Sequence, residues 1–199
     1  MLRGFRSESK APALPKRSAD ASDVALLTRI VAGDLRAFES LYRIYHPRLD
    51  RFLSLMTPRQ TIVEEALNDT MLVVWRRSQT YNRRSKVSTW IFAIAYRTAL
   101  KALRTQDEPV EMAPDELCSD NAGPEQQLSA VETRSVLLKA LDALSAEQRC
   151  VLVLTYFHDL PSAEIARIVD CPVDTVKTRV FHARRRLRAT LHDHPGDHS

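Results

Sequence analysis

The chain has 199 residues, a formal net charge of +4, 44% hydrophobic and 27% charged residues and only four glycines, which fits a soluble, mostly helical protein of one large or two small domains. Cys118, Cys150 and Cys171 are odd in number and lack paired spacing, so neither a disulfide framework nor a zinc site is suggested. No apolar run approaches the ~20 residues of a membrane span, and the N-terminal MLRGFRSESKAPALPKRSAD has no apolar h-region, so the expected location is the cytoplasm, without membrane insertion.

Residues 1–20 are rich in Ser, Pro, Lys and Arg without periodicity and read as a disordered basic tail, with a weak electrostatic arm for nucleic acid as the alternative. From Asp23 the pattern turns helical: Val24, Leu27, Ile30 and Val31 share a face, and Gly33-Asp34 marks a break. Phe38, Leu41, Tyr42, Tyr45, Leu49, Phe52 and Leu53 then recur at three and four, a long amphipathic helix that Pro47 either kinks or divides. A third helix, from about Thr61 to Arg77, has a core stripe of Val63, Ala66, Leu67, Thr70 and Val74. On its other side Leu72 and Trp75 share a face with Glu64, Glu65, Asn68 and Asp69. Large apolar groups ringed by acids suggest a protein-binding patch, unless a neighbouring helix of the same domain covers the Trp.

A cationic connection follows, with Arg76, Arg77, Arg83, Arg84 and Lys86 around Tyr81, and Ser88 or Thr89 is placed to cap the next helix, Trp90 to Arg104. That helix is apolar around most of its circumference, through Ile91, Phe92, Ile94, Tyr96 and Leu103. Yet Trp90, Ala93, Arg97, Lys101 and Arg104 line up on one strip. An aromatic followed by cations at helical spacing suits stacking on an unpaired base with the phosphates held beyond it, although a lone Trp is also a common packing residue. Residues 105–128 then turn acidic, with Pro109, Pro114, Gly123 and Pro124 and no apolar period, which reads as a flexible interdomain linker.

Helical order resumes near Leu128 with the stripe Val136, Leu137, Ala140, Leu141 and Leu144. Ser145-Ala146-Glu147-Gln148 is a capping-box pattern, opening a helix through Cys150, Val151, Leu154 and Phe157. Residues 160–191 form two helical patterns about a break at Asp170-Cys171-Pro172. The first has Ile165, Ala166 and Val169. The second packs by Val173, Val176, Val180, Leu187 and Leu191, and its other side collects Lys177, Thr178, Phe181, His182, Arg185 and Arg188. This is a helix-turn-helix whose second helix suits a DNA major groove. The plainer reading, a solvated basic helix end around Arg184-Arg185-Arg186, leaves Phe181 without a purpose. The tail from residue 192 has His192, His194 and His198 with Asp193 and Asp197; it reads as a flexible polar terminus rather than a metal site. No Gly-rich phosphate loop, metal-ligand pair or nucleophile-base arrangement points to an enzyme, and no cofactor is expected.

The expected fold is all-α: two small helical domains, 21–104 and 129–191, joined by a flexible acidic linker, the second domain containing the helix-turn-helix. GDLRAFESLYRIYHPRL, VEEALNDTMLVVW, STWIFAIAYRTALKALR and LDALSAEQRCVLVLTYFHDLPSAEIARIVDCPVDTVKTRVFHARRRL, in that order, resemble the extracytoplasmic-function sigma factors of bacterial RNA polymerase. The resemblance implies a non-catalytic initiation factor that binds core polymerase and directs it to promoter DNA. It places Glu64, Glu65, Asn68, Asp69, Leu72 and Trp75 against the polymerase clamp. Trp90, Arg97, Lys101 and Arg104 would hold the unwound minus-ten strand. Lys177, Thr178, Phe181 and His182 would read the minus-thirty-five element in the duplex, with Arg179, Arg184 and Arg185 among the cations beside them. It also implies an anti-sigma partner or another switch. Arg97 stands where the family often has Asn, His182 where Arg is more usual and Asp174 where Gly is common, so a shifted promoter preference is expected.

Overall fold

The computed structural model describes residues 16–106 and 140–192, all helix, turn and loop. The basic N-terminus before Lys16, nearly all of the acidic linker, Val136, Leu137 and the His-containing tail from Asp193 lie outside the described residues. Helix α1 (Lys16–Val31) starts ahead of Asp23, where the apolar period begins, and α2 spans Leu35–Met56, α3 Gln60–Arg77 and α4 Val87–Gln106. A 3₁₀ turn at Ser78–Thr80 follows α3. In the second half α5 is Ala146–Tyr156, α6 Ser162–Val169 and α7 Val173–His192. They follow a helical end at residues 140–142.

The expected stripes build the first core. Leu27 and Ile30 of α1, Leu41, Tyr45, Leu49 and Phe52 of α2, Val63, Ala66 and Val74 of α3, and Ile91, Phe92 and Ala95 of α4 are all buried. Each large apolar side chain buried in this way contributes roughly 1.5–3 kcal/mol relative to exposure. Val31 departs from its expected face and is 52% exposed, because α1 ends there and the chain turns through Gly33, at φ +85°, before α2. Asp34 starts α2 by accepting the Arg36 and Ala37 amides at 2.9 and 3.1 Å. Arg29 clasps the same carboxylate at 2.7 Å, and these bonds, the Arg29 one foremost, hold its pKa below the usual carboxylate value. Pro47 neither divides nor stops α2; it sits on the exposed side, where the carbonyl it leaves unbonded can meet water.

Two sequence expectations about α4 are corrected. The helix begins at Val87, before Ser88 and Thr89, so neither residue caps it. Its first amide instead donates to Asp20 of α1 at 3.0 Å, a partner 67 residues away. Between α3 and α4 the buried Thr70 hydroxyl donates to Ala66 O at 2.6 Å and pairs with Thr98 at 2.9 Å, so a polar contact inside the bundle is satisfied.

The capping box at the head of α5 forms as expected: the Gln148 amide donates to Ser145 Oγ at 3.2 Å, and Gln148 Oε1 accepts from the Ser145 amide at 3.4 Å. Cys150, Val151, Leu154, Ile165 and Val176 are fully buried. Asp170 ends α6 in the left-handed region (φ 52°, ψ 56°), and the Cys171 amide returns to Ala166 O at 3.1 Å, which closes the turn before Pro172 and α7. The two helical domains pack against each other. Their buried residues form one continuous cluster, and Leu55 of α2 packs against Leu141, Leu144, Leu152 and Ala183 of the second half.

Candidate polymerase and nucleic-acid interfaces

The α3 stripe that packs inward leaves its opposite side in solvent. Glu64, Glu65, Asn68 and Asp69 are exposed and Leu72 is 43% exposed, so the acidic ring and its apolar centre lie on one open surface. Trp75 is half-buried, its ring held edge-on by Phe38 of α2 at 5.1 Å between centroids. The two alternatives for this indole therefore meet: a neighbouring helix supports it from one side and the patch remains open. Phe38 was legible only as a core residue, since nothing in its spacing shows that it props up Trp75.

Along α4, Arg97, Lys101 and Arg104 project into solvent, whereas Ala93, in the same strip, is buried. Trp90 is half-buried and lies 5.6 Å from the ring of Tyr81. The Tyr81 hydroxyl donates to Ser85 O at 2.6 Å, which gathers residues 81–85 beside the start of α4. This pairing sets an aromatic step next to the cations, with Asn82, Arg83 and Arg84 exposed along the loop. Tyr81 was readable as one aromatic among cations, but its partnership with Trp90 depends on a fold-back that periodicity does not encode.

On α7 the expected outer face is outside. Lys177, Thr178, Phe181, His182, Arg184 and Arg185 are exposed, and Phe181 is 63% exposed. Phe181 and His182 meet edge to face at 5.5 Å, and Lys177 pairs with Asp174 at 3.1 Å. Arg184 stacks over Tyr156 of α5 at 6.0 Å. Arg179 behaves differently. It is half-buried, reaches Cys171 Sγ at 4.0 Å and lies within electrostatic reach of Tyr96 of α4.

The seam between the halves joins α2 and α4 to α5, α6 and the loop after α5. His158 lies against Phe92 at 4.9 Å and Phe52 at 6.0 Å, and Arg149 donates to Met56 O at 2.7 Å. Burial, then the nearby Arg48 and Arg51 cations, push the His158 pKa down to about 4. Burial first, and then the neighbouring Cys150 and Glu147, push Tyr96 up to about 12. Glu164 pairs with Lys86 and accepts from the Thr89 hydroxyl at 3.3 Å. Among the described residues no helix is long and apolar enough to cross a membrane, and no group of three or more His, Cys, Asp or Glu is placed to hold a metal.

Family models describe two segments: Sigma-70 region 2 over residues 41–108 and Sigma-70, region 4 over residues 134–187. The chain is 31% identical over 170 residues to the ECF RNA polymerase sigma factor SigM of Mycobacterium tuberculosis, covering 85% of each chain. It is 27% identical over 177 residues to the ECF RNA polymerase sigma-E factor of Escherichia coli K12, covering 83% of this chain and 92% of the relative. Its fold is similar to CnrH in complex with the cytosolic domain of CnrY, with a TM-score of 0.68, 20% identity and coverage of 86% and 98%. It is likewise similar to the sigma factor RpoE in complex with the anti-sigma factor NepR from Bartonella quintana, with a TM-score of 0.62, 22% identity and coverage of 79% and 98%. Helical order, the two matched regions and a relative that aligns along most of its length agree: the chain belongs to the ECF sigma factors, initiation factors that bind RNA polymerase and bring it to promoter DNA.

Proposed function

We propose that the three exposed surfaces divide the work of initiation. The α3 patch of Glu64, Glu65, Asn68, Asp69, Leu72 and Trp75 docks on the polymerase clamp. Its open apolar centre and charged rim suit a protein interface. Trp90, Arg97, Lys101 and Arg104 hold the unwound minus-ten strand, with Tyr81 completing the stacking step. Lys177, Thr178, Phe181 and His182 read the minus-thirty-five duplex, with Arg179, Arg184 and Arg185 toward its phosphates. Arg179 must leave the seam to do so. The exposure of Phe181 among cations and hydrogen-bonding groups is the observation that carries the reading, because an aromatic gains nothing from solvent but packs well on a thymine methyl or sugar edge.

In this reading the protein acts in the cytoplasm by binding alone and supplies no catalytic group. Phosphate contacts give salt-dependent affinity, and base contacts give discrimination of about 1–3 kcal/mol each. Polymerase raises the effective concentration of both halves on one promoter. RpoE occurs with an anti-sigma factor, and a regulator of that kind covering Leu72 or the α7 face would silence this chain. Run-off transcription with purified bacterial core polymerase on a promoter library tests the assignment. Starts that require the added protein, and that Trp90→Ala or Phe181→Ala abolishes, are the expected result. Starts unchanged by both substitutions would overturn the residue roles.

A further inference from the structure

The contact between the halves is built at the start of α4, beside the strip proposed for the unwound strand. Glu164 belongs to the first turn of α6, and only 12% of its side chain is exposed. It lies across Lys86 and the Thr89 hydroxyl, immediately before Trp90. A lysine ammonium and a hydroxyl at the head of a helix are donors suited to a phosphate oxygen, and a carboxylate is the protein group that best imitates one. Glu147 lies in the electrostatic reach of both Arg104 and Arg179, one cation from each proposed DNA surface. Acids of the second half therefore face cations that nucleic acid would otherwise engage.

Distance makes the two states exclusive. Elements about 25 base pairs apart are about 85 Å apart along B-form DNA at 3.4 Å per step. Halves that share His158, Phe52 and Phe92 in one packed seam cannot reach both. We infer that Lys86 and Thr89 form a further seat for a backbone phosphate of the unwound strand, and that Glu164 fills it in the unbound protein as an intramolecular competitor. The inference rests on the assignment of the α4 strip to single-stranded DNA. It adds two binding residues to that strip and a reason why the free chain holds DNA weakly. Seam cohesion comes mainly from its apolar contacts, since one partly exposed ion pair adds only about 0–1 kcal/mol. The role of Glu164 is thus occupancy of the seat more than adhesion.

The test uses the full chain without polymerase and a labelled random-sequence single strand of about 15 nucleotides, a length sized to a stacking groove, read by fluorescence anisotropy. Glu164→Gln should tighten binding about five-fold, the gain due when the seat is closed in nearly all free molecules and the variant gives up the whole of that ion pair. Asp159→Asn, which removes an exposed acid from the same half, should leave binding within two-fold. Lys86→Ala combined with Glu164→Gln should lose the gain. No gain from Glu164→Gln, an equal gain from Asp159→Asn, or a gain that survives Lys86→Ala would each overturn the proposal. A parallel measurement on the polymerase-bound protein separates its failure from that of the strip itself. There Trp90→Ala should weaken strand retention, Lys86→Ala should do so to a lesser extent, and Glu164→Gln should have no effect. If Trp90→Ala has no effect there, the strip assignment falls whatever Glu164 does. If only Lys86→Ala has none, the seat falls and the strip stands.

Discussion

At the scale of single residues, exposure separates groups that bind from groups that support. Leu72 projects from α3 without a packing duty, so Leu72→Ala should weaken polymerase binding about ten-fold, the loss of a modest hot spot, with the melting temperature unchanged. Trp75→Ala should lower both, because it also removes the contact with Phe38. A titration with core polymerase beside a thermal melt distinguishes the two. On α7, Lys177→Ala should weaken promoter binding by the polymerase-bound protein and make the salt slope of log K shallower, because a cation is lost from the duplex interface. A slope equal to wild type would remove Lys177 from that interface. Its pairing with Asp174 adds a second expectation: Asp174→Asn releases the lysine and should tighten binding.

At the scale of elements, the helices follow from local chemistry that the sequence displays openly. The i, i+3, i+4 stripes of α2 and α3 become buried faces, and the Ser145-to-Gln148 pattern becomes a cap with both reciprocal bonds. Ser145→Ala should cost about 1 kcal/mol of stability, seen as an earlier midpoint in denaturant unfolding, while Ser88→Ala should cost little because Ser88 caps nothing. The missed features all depend on distant partners. Asp20 reads as a tail residue until α1 brings it to the first amide of α4. Arg179 reads as one more cation on the DNA face until the seam half-buries it beside Cys171. Glu164 stands in the first turn of α6, where an acid suits the helix dipole, and nothing in its spacing points to Lys86. Periodicity reports which side of a helix is buried and not what buries it. Phe52, Phe92 and Tyr96 therefore counted toward one bundle when they serve two.

For the whole molecule, the seam makes stability depend on acid. Among the groups around His158, Arg48 and Arg51 come from α2, and Phe52 and Phe92 pack edge to face with the ring; the Nε2 atom is buried and has no hydrogen-bond partner among the described residues. The packed state therefore favours neutral imidazole, with a pKa near 4 against 6.5 when released. Released chains bind the extra proton between these values, so stability is full above about pH 6.5 and is lost progressively as pH falls toward 4. Scattering or denaturant unfolding at pH 7 and pH 5 should show the packed form weakened at the lower value. His158→Leu should remove most of that difference, and an unchanged difference would place its origin in the carboxylates.

The chain's two tryptophans stand one at each of two proposed docking surfaces, Trp75 on α3 and Trp90 at the start of α4. Each is partly shielded by an aromatic neighbour, Phe38 or Tyr81. Replacing one indole with Phe leaves the other as an intrinsic optical probe. Emission from Trp75 would then time the arrival of the enzyme, and emission from Trp90 the opening of the duplex, so that the order of the two events could be followed without an added dye.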